Sequence, residues 1–273
     1  HINTNCLNFT PETLAYDYNS QLAAFTVRFP TLLPQVSERT HCITWSDWAS
    51  QATVKVPHNI RLDTNYYYWP EAWINNRPGM FTGSGLPMRF ANLDGSIIDV
   101  YQATTQMTDE SGQTYPYTID TLLSRALGPE GYYGVFTANM HTDALTSAAA
   151  EAIIASALAN NVPVVSGRQL VAWLDGRNES SFSAMSWADY ALTFTVTQAA
   201  GANGLQVMLP VNHGNLYLQG IVSGASSVAY TVERIKGIDY ALFSAANQTY
   251  TAQYGTDTLP PVISNLSAVP GTN

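Results

Sequence analysis

The stretch Gly134-Val-Phe-Thr-Ala-Asn-Met-His141-Thr-Asp143 indicates both the fold class of this chain and the position of a candidate site. An apolar, β-prone run ends abruptly in polar residues, and an Ala-rich helical pattern follows it. In open or barrel-shaped α/β folds, catalytic groups lie where parallel strands end and helices begin. His141 is therefore the first candidate for a catalytic residue, and the alternative is a hydrogen-bonded structural histidine.

The residues around this stretch alternate between helix and strand signals. A helix is predicted from Thr118 to about Leu127, a strand over 133–140, a helix over 147–160, a buried strand over Val162–Ser166 and a helix ending near Gly176. Such alternation predicts parallel strands joined by right-handed crossovers. Near the N-terminus, Thr10 and Pro11 provide the cap and the first turn of a further helix over about 11–28.

The pattern changes after Ser180, where only strand signals remain. Six short strands separated by Gly, Asn and Ser turns predict an antiparallel β-sandwich. They cover about 191–197, 205–209, 216–222, 228–235, 240–244 and 249–254. We therefore predict an α/β domain over 1–176, a β-sandwich over 177–256 and a linker over 257–273 that leads toward a further β-domain.

Composition narrows the functional classes. The 273 residues are 46% hydrophobic, which is ample for a core, but only 11% are charged. A surface built mainly from uncharged polar residues is typical of a secreted or cell-surface protein. The net charge of −9 argues against nucleic acid as a partner, because phosphates attract basic patches. No apolar run approaches the ~20 residues of a membrane span, so no transmembrane segment is expected.

The chain has two cysteines, Cys6 and Cys42. They form one disulfide if the protein folds in an oxidising compartment, and they are buried free thiols otherwise. Their spacing does not resemble that of a metal site.

Two more strand-like runs end in chemically useful groups. The run from Arg39 to Trp45 contains His41, and the run from Ile60 to Asn65 contains Asp63. A dense aromatic cluster follows the second run. It is either core packing or a wall on which sugar rings stack, because aromatic faces pack against the C–H faces of pyranoses. Its candidate binding residues are Tyr67, Trp69 and Trp73.

Residues 1–176 resemble the polysaccharide deacetylase (NodB-type) family through the order of four short motifs. His1-Ile-Asn-Thr-Asn5 has the spacing of the family's two-ligand metal motif, with Asn5 in place of the second histidine. Arg39-Thr-His41 occupies the place of the arginine motif. Asp63 with Trp69 is the nearest match to the motif that contributes an Asp and aromatic residues. The strand that ends in His141 fits the motif that carries the general acid.

The resemblance implies an irregular (β/α) barrel of the deacetylase type, incomplete because the family's first metal and base motif belongs upstream of His1. It also implies hydrolysis of acetyl groups on a glycan. His141, Arg39 and Asp63 would be catalytic, and Asp143, Arg39 or Asp63 would orient the His141 imidazole. If the site is active, His1, Asn5 and His41 would hold a divalent metal such as Zn²⁺. Otherwise no cofactor is expected.

The competing interpretation is a non-catalytic extracellular protein built on a degenerate barrel. It would act as an adhesin, a glycan-binding module or part of a surface assembly, with self-assembly or cell-surface attachment as its role. Asn5 and the missing first motif favour it, whereas His141, Arg39 and Asp63 favour the enzyme. An Asp-Asp pair on a strand upstream of His1 would decide for the enzyme.

Overall fold

The computed structural model describes residues 1–6, 10–42, 44–65, 85–109, 112–129, 131 and 134–256. Contacts divide the chain into two compact units between Ala172 and Trp173. Helices and mostly parallel strands form the first unit, and antiparallel strands dominate the second. The predicted mixed α/β class is confirmed at this level. The predicted domain limits at residues 176 and 256 stay predictions.

The helices begin and end close to their predicted positions. They are α1 (Pro11–Arg28), α2 (Ser50–Lys55), α3 (Tyr117–Leu127), α4 (Ala148–Ala159) and α5 (Gly167–Glu179), with a short 3-10 turn at Val56–His58. Thr10 caps α1 through a reciprocal hydrogen-bond pair with Thr13, and the Ser147 side chain accepts a hydrogen bond from the Ala150 N–H at the start of α4. These caps satisfy backbone donors that a helix start otherwise leaves unpaired.

Within the described residues, no helix is both long and apolar enough to cross a membrane.

The strands of the first unit are short, and most pair in parallel. They are β1 (Ile2–Asn3), β2 (Ser37–Glu38), β3 (Thr40–His41), β4 (Leu62–Asp63), β5 (Met88–Ala91), β6 (Ile97–Gln102), β7 (Thr105–Thr108) and β8 (Thr137–Asn139). The parallel pairs are β1–β3, β2–β4, β4–β6 and β7–β8, whereas β5 runs antiparallel to β6. Parallel neighbours that follow chain order resemble half of a (β/α) barrel. Their carboxyl ends therefore lie along one edge.

The predicted buried strand over Val162–Ser166 is wrong. These residues have no strand pairing, and the Val164 and Val165 side chains are about half exposed. Pro163 has no N–H to donate to a neighbouring strand. Ser166 caps the start of α5, as its position before the predicted helix indicates, because its hydroxyl accepts from the Gln169 N–H while the Gln169 side chain accepts from the Ser166 N–H.

The second unit consists of two antiparallel sheets. Its strands are β9 (Ser181–Ala188), β10 (Ala191–Thr197), β11 (Gln206–Pro210), β12 (Asn212–His213), β13 (Leu216–Ser223), β14 (Ser226–Ser227), β15 (Thr231–Ile235), β16 (Ile238–Ser244) and β17 (Gln248–Thr256). One sheet has the order β12-β13-β17-β10-β9, with β14 beside β13, and the other has the order β11-β16-β15. Both sheets contribute side chains to one buried core, as expected for two packed sheets.

Strand β9 was not predicted from the sequence. Every residue of β9 is exposed, so the strand has no buried face. Its pairing with β10 also shifts by a bulge between Thr193 and Thr195. A bulge disrupts the two-residue period on which strand prediction depends.

The disulfide between Cys6 and Cys42 is confirmed, and their Cα atoms are 5.5 Å apart. Cys6 follows β1 and Cys42 follows β3, so the bond joins the ends of two parallel neighbours. A bond between the first helix and the Arg39–Trp45 strand is the arrangement expected from the sequence. The difference arises because α1 begins only at Pro11.

Reducing this disulfide is expected to lower the free energy of unfolding by about 2–4 kcal/mol, because the bond closes a long loop and restricts the unfolded chain. The measurement is urea unfolding of the native protein and of a Cys6→Ser/Cys42→Ser variant. A matched Ser20→Ala/Ser124→Ala variant, which changes exposed helical serines, controls for substitution itself. Equal unfolding midpoints for the native and Cys-free proteins would contradict the expectation.

Candidate functional site

The predicted catalytic histidine forms a dyad with a carboxylate on the neighbouring strand end. His141 lies two residues after β8, and Asp109 directly follows β7, the parallel partner of β8. The His141 Nδ1 is 2.8 Å from Asp109 Oδ1, and the His141 backbone N–H donates to Asp109 Oδ2 over 2.9 Å. One carboxylate therefore fixes both the backbone and the ring of His141.

The charge state of Asp109 determines the orientation of the ring proton. Burial of the Asp109 carboxyl acts to raise its pKa, but the hydrogen bonds and the charge supplied by His141 outweigh burial, so the pKa of Asp109 is lowered. An ionised carboxylate only accepts hydrogen bonds. The Nδ1 of His141 must therefore be the donor, which leaves Nε2 as the nitrogen available for proton transfer.

Polar contacts hold the two strand ends in register beneath this dyad. The Asn139 side-chain amide donates to the Thr105 hydroxyl, and that hydroxyl donates to the Thr64 carbonyl over 2.7 Å. The buried Gln106 side chain accepts a hydrogen bond from the Thr137 N–H over 2.8 Å. Because these bonds connect β7 with β8 and with the end of β4, the position of His141 depends on three neighbouring strands.

Asp109 was not predicted as a site residue. Residues 108–111 have the composition of a polar loop, and the partners predicted for the imidazole were Asp143, Arg39 or Asp63. The structure gives this place to Asp109. The sequence feature that could have predicted Asp109 is the short β-prone run Thr105–Thr108, which is followed directly by this carboxylate. Parallel neighbouring strands bring their carboxyl ends together, so the residue after this run lies near the end of the strand before His141.

Asp63 faces a buried network and does not line a cavity with His141. The Lys55 ammonium contacts the Asp63 carboxylate and lies 3.0 Å from Glu38 Oε2. All three side chains are almost completely buried. The Asn65 and Gln102 side chains also donate to Asp63. The carboxylate is therefore occupied by structural contacts.

The helical side of this network is provided by Tyr18 and Gln51. The Tyr18 hydroxyl lies 2.5 Å from Glu38 Oε2 and 3.0 Å from Gln51 Oε1. Burial, followed by the negative charge of Glu38, raises the pKa of Tyr18, so the phenol keeps its proton and donates. The Gln51 oxygen also accepts from the Lys55 ammonium over 3.2 Å. The network thus connects α1 and α2 to the strands β2 and β4.

The structure brings two of the three predicted metal ligands together. The His1 and His41 rings have centroids 5.9 Å apart, and both side chains are exposed. Asn5 is exposed as well. Among the described residues, the only cluster of three or more His, Cys, Asp or Glu ligand atoms comprises Cys6, His41 and Cys42. The two sulfurs in it form the disulfide and are not thiolates.

A catalytic zinc ion normally has three protein ligands of the imidazole, thiolate or carboxylate type. Two imidazoles without a converging third ligand of these types do not meet that requirement. The described residues therefore do not fit the predicted divalent metal.

A cavity of about 910 Å³ opens beside the dyad within the first unit. Its polar lining includes His1, Arg39, Thr64, Asn139 and His141, all of which lie at or near strand ends. His41 and Asp63 do not line it. The sequence predicts that His1, His41, Asp63 and His141 converge on one cleft. The structure places only His1 and His141 of these four around the cavity, with His41 adjacent to His1, and it adds the predicted catalytic residue Arg39 to the lining.

The predicted sugar-binding residues Tyr67, Trp69 and Trp73 lie outside the described residues. The stacking wall therefore stays a prediction from the sequence.

Comparison with known protein families, curated proteins and solved structures gives no match for this chain. The likeness to polysaccharide deacetylases remains one of sequence motifs.

Proposed function

We propose that the first unit hydrolyses acyl groups, such as acetyl, carried by an extracellular glycan. His141 is the general acid and base, and Asp109 is its positioning residue. The observation that carries the proposal is the dyad at two adjacent parallel strand ends, opening onto a cavity large enough for a substrate. Such strand ends are where α/β enzymes place their catalytic groups.

The geometry supports water attack assisted by His141. The imidazole Nε2 accepts a proton from water while the water oxygen bonds to the acyl carbon. The tetrahedral intermediate then expels the sugar nitrogen or oxygen, which takes that proton from Nε2, so that one water yields the free acid and the free sugar group. Asp109 stabilises the imidazolium that exists between the two steps.

Arg39 provides positive charge on the lining of the same cavity. A guanidinium stabilises the negative oxygen that develops on an acyl carbon during attack. We therefore assign Arg39 to the oxyanion or to the polar part of the substrate.

Two features of the chain support a glycan substrate and an extracellular location. The disulfide suits an oxidising compartment, and the low charge suits a neutral polar partner. We further propose that the second unit attaches the protein to a surface or a glycan.

The test compares two carboxylates near His141. Asp109→Asn is expected to lower the rate of acetyl release from an acetylated chito-oligosaccharide or acetylated xylan by ~10² or more. An amide that donates to Nδ1 would place the ring proton on Nε2 and stop it from accepting one. Asp143→Asn is the matched control, because Asp143 lines the cavity but does not hold the ring, and its rate should stay within about threefold.

Equal losses in the two variants would contradict the assignment of Asp109. Saturable binding of the oligosaccharide with no acetyl release from the native protein would instead support the non-catalytic glycan-binding alternative.

A further inference from the structure

The cavity beside the dyad has two chemically distinct parts. Its polar residues lie within the short strands or beside their ends, whereas most of its remaining lining is apolar and comes from α3, α4 and the segment 162–170. Ile119, Leu123, Phe136 and Ile153 represent the apolar part. A site with a few polar groups at one boundary and an extended apolar surface fits a ligand with a polar head and an apolar chain.

Part of the apolar lining is exposed. Leu127, Ile154, Val164 and Val165 all line the cavity, yet they are 60%, 45%, 54% and 49% exposed. Exposed apolar side chains are common singly, but a group around one cavity marks a binding surface. Covering such a surface is favourable in proportion to its area, so an apolar ligand gains affinity here.

An acetyl group has one methyl to place against this surface, which is little for a cavity of about 910 Å³. We infer that the cavity binds the hydrocarbon chain of an acyl group longer than acetyl, with the scissile carbonyl at His141. This inference rests on the proposed function for its chemistry. The binding of the chain, however, depends only on the cavity and can be measured without turnover.

The segment 162–166 explains why this space is open. These residues form no strand, and Val162, Val164 and Val165 line the cavity. Gly167 then approaches the sheet so closely that a Cβ atom would lie 2.5 Å from the Ser37 hydroxyl. Because only glycine fits at position 167, this close contact with Ser37 fixes the position of the segment 162–166 beside β2.

The first measurement is the hydrolysis of p-nitrophenyl acetate, butyrate, hexanoate and octanoate by the native protein. We expect kcat/KM to rise by up to about fourfold per added methylene, the factor that corresponds to ~0.8 kcal/mol for each CH₂ buried. A flat or falling series with measurable acetate hydrolysis would overturn the inference and leave the proposed function in place.

The second measurement is binding of the fluorescent fatty acid 11-(dansylamino)undecanoic acid, followed by its emission. Ala150→Phe fills the cavity from α4 and is expected to weaken binding at least tenfold. Ala155→Phe is the matched control, because Ala155 is an exposed residue of α4 that does not line the cavity. Ala138→Phe, from an exposed lining residue on β8, is a second blocking variant should Ala150→Phe fail to fold.

The His141→Ala variant separates the two proposals. Chain binding that persists in His141→Ala and is lost in the blocking variants supports the inference even if no ester is hydrolysed, in which case only the proposed function fails. Absence of saturable binding in the native protein, or equal binding by Ala138→Phe and Ala155→Phe, would overturn the inference.

Discussion

Replacing Lys55 by Met is expected to lower the free energy of unfolding by about 3–5 kcal/mol. The Lys55 side chain is fully buried and neutralises the carboxylates of Glu38 and Asp63. Removing one partner of a buried ion pair leaves charge without compensation in a medium of low polarity, which costs about this much. Here a single ammonium serves two carboxylates, so its loss affects both strands β2 and β4.

Urea unfolding of the Lys55→Met variant gives the measurement. Lys236→Met is the matched control, because Lys236 is exposed in the second unit, and its change should stay within about 0.5 kcal/mol. Adding Glu38→Gln and Asp63→Asn to Lys55→Met should recover part of the loss, since no buried charge then remains unpaired. A loss below about 1 kcal/mol for Lys55→Met alone would contradict the charge-pairing account of the network.

Replacing His141 by Ala is expected to lower the hydrolytic rate by ~10²–10⁴-fold, the range for losing a general acid or base. The fold should remain intact, because the His141 side chain is 30% exposed and its backbone N–H can still donate to Asp109. The measurement is kcat/KM on the acylated saccharide or ester, with circular dichroism and the unfolding midpoint as checks on the fold.

His213→Ala is the control for the loss of an imidazole elsewhere in the chain. His213 belongs to β12 in the second unit, so acyl hydrolysis should not change. A His141→Ala variant that is folded and retains native activity would exclude this histidine from the chemistry.

Local signals in the sequence predicted the elements whose boundaries depend on local chemistry. Thr10 with Pro11, and Ser147 before an Ala-rich run, marked the starts of α1 and α4 because capping is decided within one turn. The strand predicted over 133–140 is present but shorter, because it covers only Thr137–Asn139. The strand predicted over Val162–Ser166 does not form, because an apolar run is a strand only where a neighbouring strand pairs with it. Ser166 also caps α5, which ends any strand before that residue.

The partners of charged residues were much harder to predict. Asp109 and His141 are 32 residues apart, and only the parallel pairing of β7 with β8 brings them together. The burial of Lys55 between Glu38 and Asp63 was also missed, because an isolated lysine in a sequence is normally assigned to the surface. Such contacts are set by tertiary packing, for which a single sequence gives no direct signal.

The most direct test of the central claim is a double-mutant cycle on kcat/KM for acyl hydrolysis, using native protein, Asp109→Asn, His141→Ala and the double variant. If Asp109 acts only through the His141 ring, adding Asp109→Asn to His141→Ala should change the rate by less than about twofold, although Asp109→Asn alone costs ~10² or more. Losses that multiply in the double variant, or hydrolysis that none of the substitutions affects, would contradict the proposal that these two residues form the catalytic acid–base unit.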